Sequence, residues 1–303
     1  MLDWQIPINK IHEKHCSKIE KGADDTLLYH YTSPAGLLGI CKNSAFWLSD
    51  SDFLNDSSES AYFYNIFQEV VHSEDDERKK EKIFKFNAGM FSLYHASFHT
   101  SHRETAQRIK ETRYILSMSL DRDNINLWNY YTKNDHSLGY SIGMRKDAFE
   151  YLYRHDEDES LLAGKVIYDP DKQMQLLTEL CEDYWKLYLT LQHTYQRNYL
   201  YEKMEDNIVR YSVFMKNPVF AHENEYRIAV VRLGSNATQE RLFREMNGAF
   251  IPYITQPINL LDIVEIGISP THRTEFVTRS LEELLEAKGI NATIYNSEVP
   301  LRY

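Results

Sequence analysis

Short extended runs and stretches with a helical repeat alternate along this chain of 303 residues. Leu27-Leu28-Tyr29-His30-Tyr31-Thr32 is an aromatic-rich run that predicts a strand. Ser33-Pro34 breaks it and opens a helix through Leu37, Leu38 and Ile40. Ala45 to Ser49 predicts a second short extended segment, followed by an acidic, turn-prone loop from Asp50 to Asp56. From Glu59 to about Glu111 the period is helical. Tyr62, Ile66 and Val70 recur every fourth residue, with Phe63, Phe67 and Val71 beside them. Tyr114 to Leu120 predicts a strand, after which Asp121 or Asp123 can cap a short helix carrying Trp128 and Tyr131. Strands follow at Gly139 to Met144 and at Lys165 to Tyr168, the latter stopped by Asp169-Pro170.

The span from about Lys172 to Lys216 is again helical, with Leu176, Leu180 and Tyr184 on one face. Beyond Asn217-Pro218 the extended pattern returns at Asn224 to Val231 and at Ile263 to Ile268. Ser269 as cap and Pro270 at the first position then predict a helix that buries Val277, Leu281, Leu284 and Leu285 and ends at Gly289. A last strand is expected at Ala292 to Tyr295. Together these elements predict an α+β fold. A helical lead-in over residues 1–26 precedes one domain over 27–303, with helical insertions at about 59–111 and 172–216.

Composition adds bounds. The chain is 43% hydrophobic and 26% charged, enough to bury a core, and 13% aromatic with 22 Tyr and 14 Phe. A net charge of -11 argues against a broad nucleic-acid-binding surface, while leaving room for a small basic cleft. No apolar run is long enough to span a bilayer, so no membrane partner is expected. The opening residues carry no secretory pattern, and three scattered cysteines (Cys16, Cys41 and Cys181) suit a reducing compartment. The expected location is cytoplasmic.

Candidate chemistry lies on two polar strands. Side chains alternate along a strand, so Glu223, Glu225 and Arg227 are expected on one face of the late strand. That face suits a solvent-facing edge or a cleft in which Arg227 holds a carboxylate or an anionic ligand. The same alternation separates His30 and Thr32 from Tyr29 and Tyr31. Asn55 and Asp56 are turn formers that either shape a cleft rim or form an ordinary surface turn. His12, His15 and Cys16 lie close together, and His95, His99 and His102 are spaced for one helix face. Neither set shows a matching second half for a zinc site, so no metal is expected. The phosphate-binding loop, the dinucleotide fingerprint and the nucleophile elbow are all missing from the sequence.

Taken in order, Tyr29-His30-Tyr31-Thr32, Leu54-Asn55-Asp56 with Glu59, Ser117-Met118-Ser119, Trp128, Tyr131, Gly139-Tyr140 and Glu223-Asn224-Glu225-Tyr226-Arg227 resemble a bacterial family known as domain of unknown function 2971. The likeness runs from about Leu27 to the C-terminus. That family in turn resembles, more distantly, the ADP-ribosyltransferase fold, whose core is a split mixed or antiparallel sheet. The resemblance implies NAD as substrate and no metal. It gives His30 the role of holding the ribose, with Tyr31 and Thr32 beside it. Ser117, Ser119 and Tyr131 compete to position the nicotinamide, with Trp128 as a second stacking face. Glu225 is the implied catalytic carboxylate, Glu223 its accessory, and Asn55, Asp56 and Glu59 the rim.

The chemistry implied is cleavage of the nicotinamide–ribose bond through an oxocarbenium-like state, which a fixed carboxylate stabilises. Such an enzyme would pass ADP-ribose to a protein or nucleic-acid acceptor or hydrolyse NAD, as a toxin or phage-defence effector. The alternatives are a non-catalytic nucleotide- or nucleic-acid-binding module and a protein-interaction protein of the same fold.

Overall fold

The computed structural model describes residues 2–54, 59–72, 111–132, 138–149, 159–233, 241–246, 248–270 and 274–300. A ten-stranded sheet forms its centre. In chain order the strands are β1 (Leu27–Thr32), β2 (Ala45–Asp50), β3 (Glu111–Ser119), β4 (Tyr140–Arg145), β5 (Glu159–Lys165), β6 (Glu225–Leu233), β7 (Leu242–Met246), β8 (Ala249–Pro257), β9 (Ile263–Ile268) and β10 (Thr293–Asn296). The described helices are α1 (Gln5–Cys16), α2 (Pro34–Asn43), α3 (Glu59–His72), α4 (Ile125–Thr132), α5 (Pro170–Tyr188), α6 (Thr194–Phe214) and α7 (Glu275–Lys288).

One edge of β3 pairs with β6 over its whole length, from Glu111 opposite Leu233 to Ser119 opposite Glu225, and β5 lies beyond β6. The other edge is shared. β1 meets it at Tyr29 opposite Ser119, and β2 meets it at Ser49 opposite Ile115 and Asp50 opposite Tyr114. Both strands are antiparallel to β3, and a single row of backbone groups cannot serve two strands at the same residues. They therefore splay apart. β1 carries the sheet on through β4, β9 and β10, and β2 carries it through β8 and β7. Leu116, Ser117 and Met118 have no registered partner on the split edge.

Each face of the sheet has its own core. Ile115 and Ala229 face the layer of α1, α3, α5 and α6, meeting Ile8, Phe63, Phe67, Leu177, Leu180, Leu200 and Phe214. Leu28, Phe46, Leu116 and Ile228 face the other way, toward Leu37 of α2 and Leu281 and Leu285 of α7. Each such side chain contributes about 1.5–3 kcal/mol of burial free energy. Their spacing of three or four residues gives these helices one apolar stripe.

The helical block predicted from about Lys172 is present as α5 and α6, outside the sheet. Of the block predicted from Glu59, the described part, to His72, is helix α3. The opening helix is more than a polar lead-in, because Ile8 is wholly buried in the helical core.

Several boundaries differ from expectation. The strand expected at Lys165 to Tyr168 lies earlier, at Glu159–Lys165, and Ile167 forms only a single bridge to Met215. Asn124 caps α4, accepting from the amides of Asn126 and Leu127, while the Asp123 carboxylate instead takes the indole N–H of Trp128. Thr274, not Ser269, caps α7 through the amide of Val277. Ser269 is buried and accepts from the amide of Gly139. The hairpin of β7 and β8 went unforeseen, although Asn247-Gly248 is a strong hairpin signal. Met246 pairs with Ala249, and Gly248 between them has φ +81°, a conformation glycine adopts without strain. No described helix is long and apolar enough to cross a membrane.

Candidate functional site

The late polar strand delivers a buried cluster of charges. Arg227 is 1% exposed and Glu225 3% exposed. Arg227 Nε donates to Glu225 Oε1 at 2.9 Å, and one of its terminal nitrogens donates to Glu225 Oε2 at 3.1 Å and to Glu59 Oε1 at 2.6 Å. Its remaining nitrogen reaches the carbonyl of Val213 at 2.8 Å. The Lys216 ammonium donates to Glu223 at 2.6 Å and to Glu225 at 3.2 Å, and lies 3.3 Å from Glu59. Three carboxylates thus face two cations. Such groups stay ionised in a dry setting only because each is paired.

Burial alone would raise the pKa of the Glu225 carboxyl, but Arg227, Lys216 and the donating Ser117 hydroxyl outweigh it and bring it down to about 2. Burial holds Glu223 above the usual carboxylate range despite Lys216. Burial would also favour loss of the Lys216 proton, yet Glu225, Glu59 and Glu223 push its pKa above the ordinary lysine value. Of Glu223 and Glu225, Glu223 is therefore the one poised to take up a proton.

The first polar strand reaches the same region by a different route. Tyr29 is opposite Ser119, so the Tyr29 and Tyr31 side chains share the face of Glu225 and Arg227. His30 alternates to the opposite face. Its ring lies at the split, with Nδ1 3.2 Å from the carbonyl oxygen of Ser117 and an edge-to-face contact of 5.0 Å with Phe46 of β2. Burial lowers its pKa to about 4, and nearby Arg244 adds to the shift. A carbonyl only accepts, so Nδ1 carries the proton of the neutral ring and Nε2 keeps its lone pair.

Ser117 joins the two strands. Its carbonyl receives His30, and its hydroxyl donates to Glu225. It is exposed although it lies within β3, which is paired on both edges. On the β2 side, Trp47 is 36% exposed and packs on Tyr253, while Arg244 donates to the Ser49 hydroxyl at 2.9 Å.

Other expected site residues are committed to the framework. Tyr31 is buried; its hydroxyl donates to the Asp121 carbonyl at 2.8 Å and accepts from the Asn124 amide at 2.9 Å. Trp128 is 1% exposed, packs edge-to-face on Tyr31 at 4.7 Å and donates to Asp123 at 2.6 Å, so the structure does not bring it to an open cleft. Ser119 is buried, donating to the Glu223 carbonyl at 2.8 Å and accepting from the Asp121 amide at 3.1 Å. Thr32 is buried where β1 meets α2, close against Gly36. Glu59 opens α3 and belongs to the charge cluster rather than to a rim. The Tyr131 side chain, Asn55 and Asp56 lie outside the described residues.

Glu223 corrects the alternation reading. β6 starts at Glu225, and Asn224 before it is left-handed with φ +43°. Glu223 ends a short 3-10 turn, Pro218–Glu223, and reaches the cluster from there through Lys216. Asparagine enters that conformation more readily than most residues, and here its amide is held by Asp121, far along the chain, at 2.8 Å. Lys216 was missed by sequence reasoning. Its signal was a lone charge closing the apolar run Val213-Phe214-Met215.

A family model described as a protein of unknown function (DUF2971) matches residues 127–228. The matched stretch runs from α4 into β6 and includes Trp128, Lys216, Glu223, Glu225 and Arg227, while His30 and Ser117 lie outside it. No curated protein matches the chain.

Proposed function

We propose that the split between β1 and β2 is a nucleotide cleft and that the protein is an ADP-ribosyltransferase-like enzyme that cleaves NAD. The observation that carries this reading is Ser117. An exposed residue near the end of central strand β3 bonds His30 through its carbonyl and Glu225 through its hydroxyl. Ser117 thus links His30 on one face of the sheet with Glu225 on the other, at the gap between β1 and β2. Glu225 stays ionised at any physiological pH. A fixed negative charge of this kind stabilises an oxocarbenium-like ribose more than neutral NAD. His30, neutral and with a lone pair on Nε2, can accept a hydrogen bond from a ribose hydroxyl. Under this reading the chain is a toxin or phage-defence effector acting on a protein or nucleic-acid acceptor.

One observation favours a second reading, a binding module of the same fold without turnover. Both oxygens of Glu225 already accept from Arg227, and Lys216 adds a third donor. A carboxylate so engaged is a structural anchor first. Incubation with NAD labelled on the adenylate and on the nicotinamide, with and without cell lysate, separates the two. Release of nicotinamide supports the enzyme. Saturable NAD binding without release supports the module, and absence of both overturns the nucleotide cleft.

A further inference from the structure

We propose that His12 and Cys16 of α1 and Asp206 of α6 form a site for a thiophilic divalent cation of the zinc type. His12 and Cys16 are four residues apart, so both project from one face of α1. That face packs on α6, which supplies Asp206. One donor atom from each residue lies within 4.8 Å of the other two. His12 Nε2 is 3.2 Å from Asp206 Oδ2 and 3.6 Å from Cys16 Sγ. A tetrahedral zinc ion, with its usual bond lengths, separates nitrogen and oxygen donors by about 3.3 Å and nitrogen and sulfur donors by about 3.5 Å. Both edges that meet at His12 therefore match one face of such a tetrahedron, the third, between Cys16 and Asp206, is within 4.8 Å, and water could supply the fourth ligand.

In the metal-free chain the Cys16 thiol donates to Asn207 Oδ1 at 3.6 Å and His12 Nε2 faces Asp206, and a cation would take the place of both protons. His12 Nε2 faces both Cys16 and Asp206, and a single N–H can be given to only one of them. A cation between the three satisfies all at once. The outer groups are those a ligating histidine needs. His12 bonds the Lys203 carbonyl, and Asn207 Nδ2 lies 3.0 Å from its Nδ1. An amide nitrogen only donates, so Nδ1 accepts from Asn207 in the metal-free chain and Nε2 carries the ring proton; a metal at Nε2 moves that proton to Nδ1, and the Asn207 amide turns its oxygen to meet it. Burial raises the pKa of the Cys16 thiol, and the Arg210 guanidinium, which lies beside both Cys16 and Asp206, works against that rise. Imidazole, thiolate and carboxylate together suit zinc better than magnesium or calcium, which prefer oxygen alone. His15, the other histidine of α1, turns away to Tyr211 at 2.9 Å and Asp183 at 3.1 Å. The site would pin α1 to α6 and is separate from the cluster around Glu225.

The full chain, freed of any affinity tag, is titrated with cobalt(II) and then with zinc(II). The expected result is one tight cobalt ion per chain, with the visible bands of tetrahedral geometry and a thiolate charge-transfer band in the near ultraviolet. Zinc should displace it and raise the melting temperature. Cys16→Ser should remove the charge-transfer band, and Cys181→Ser should keep it. Asp206→Asn, a near-isosteric change at a partly exposed position, guards against misfolding as the explanation. It should weaken binding by about tenfold to a hundredfold while leaving the circular dichroism unchanged. Failure to bind cobalt, a six-coordinate spectrum without a thiolate band, or a spectrum unchanged in Cys16→Ser would overturn the site.

Discussion

His30 Nδ1 lies 3.2 Å from the carbonyl oxygen of Ser117, across the gap where β1 and β2 part from β3. The contact gives a donor to a carbonyl left without a registered strand partner on that edge. It also fixes which nitrogen of the ring remains free.

A pH dependence of stability follows. The His30 pKa is lowered in the folded chain, from 6.5 to about 4. Its contribution is therefore intact above the unfolded value and is lost as pH falls through the folded one, because the unfolded chain binds the proton first. The loss should reach about 2 kcal/mol near pH 5. Urea unfolding of wild type and His30→Gln at neutral pH and near pH 5 reads it as the difference between the two slopes. Equal pH dependence in both proteins would show that His30 is not the group responsible.

Ser117 offers a way to close the cleft at the cost of one donor to Glu225. Ser117→Tyr adds a large side chain at an exposed position. Stability should fall by about 1–3 kcal/mol, because Glu225 loses a hydroxyl donor while keeping Arg227 and Lys216. NAD affinity should fall at least tenfold in a calorimetric titration. Unchanged affinity would place any nucleotide site elsewhere.

Glu225→Gln should lower nicotinamide release by about two to three orders of magnitude while changing NAD binding little. It should also lower the melting temperature, since the amide sets an N–H group among the donors of Arg227 and Lys216. Glu223→Gln should be milder on both measures, because Glu223 touches only Lys216 among the cluster's cations. A well-folded Glu225→Gln protein with full turnover would exclude the mechanism.

Arg227→Met removes the partner of two carboxylates and should destabilise the chain by about 3–5 kcal/mol, measured by denaturant unfolding. Arg227→Lys should recover little of this, because an ammonium cannot reproduce the two-pronged contact with Glu225 and the bond to Val213. Full recovery by lysine would mean that charge alone, not geometry, holds the cluster.

Much of the secondary structure was legible in the chain itself, because it rests on local repeats. The helical period of Leu176, Leu180 and Tyr184 and the aromatic run at Leu27–Thr32 each report a face that must be buried, whatever buries it. That the two polar strands belong to one sheet was expected from their chemistry and from the family resemblance, not from a local repeat, and both pair with β3. Their registers could not be read. Whether β1 and β2 share one edge of β3, and so leave Ser117 open, depends on long-range pairing that carries no local mark. The late strand shows the same limit at finer scale, where a single left-handed residue, Asn224, ends the alternation that Glu223 was expected to obey. Tertiary packing alone decided that Trp128 lies buried against Tyr31, since an aromatic residue on a helix fits a core and a ligand face equally well. It also supplied Lys216 to the charge cluster and Asp206 to His12 and Cys16. A buried charge is tolerable only beside a partner, and partners brought from far along the chain are invisible until the chain has folded.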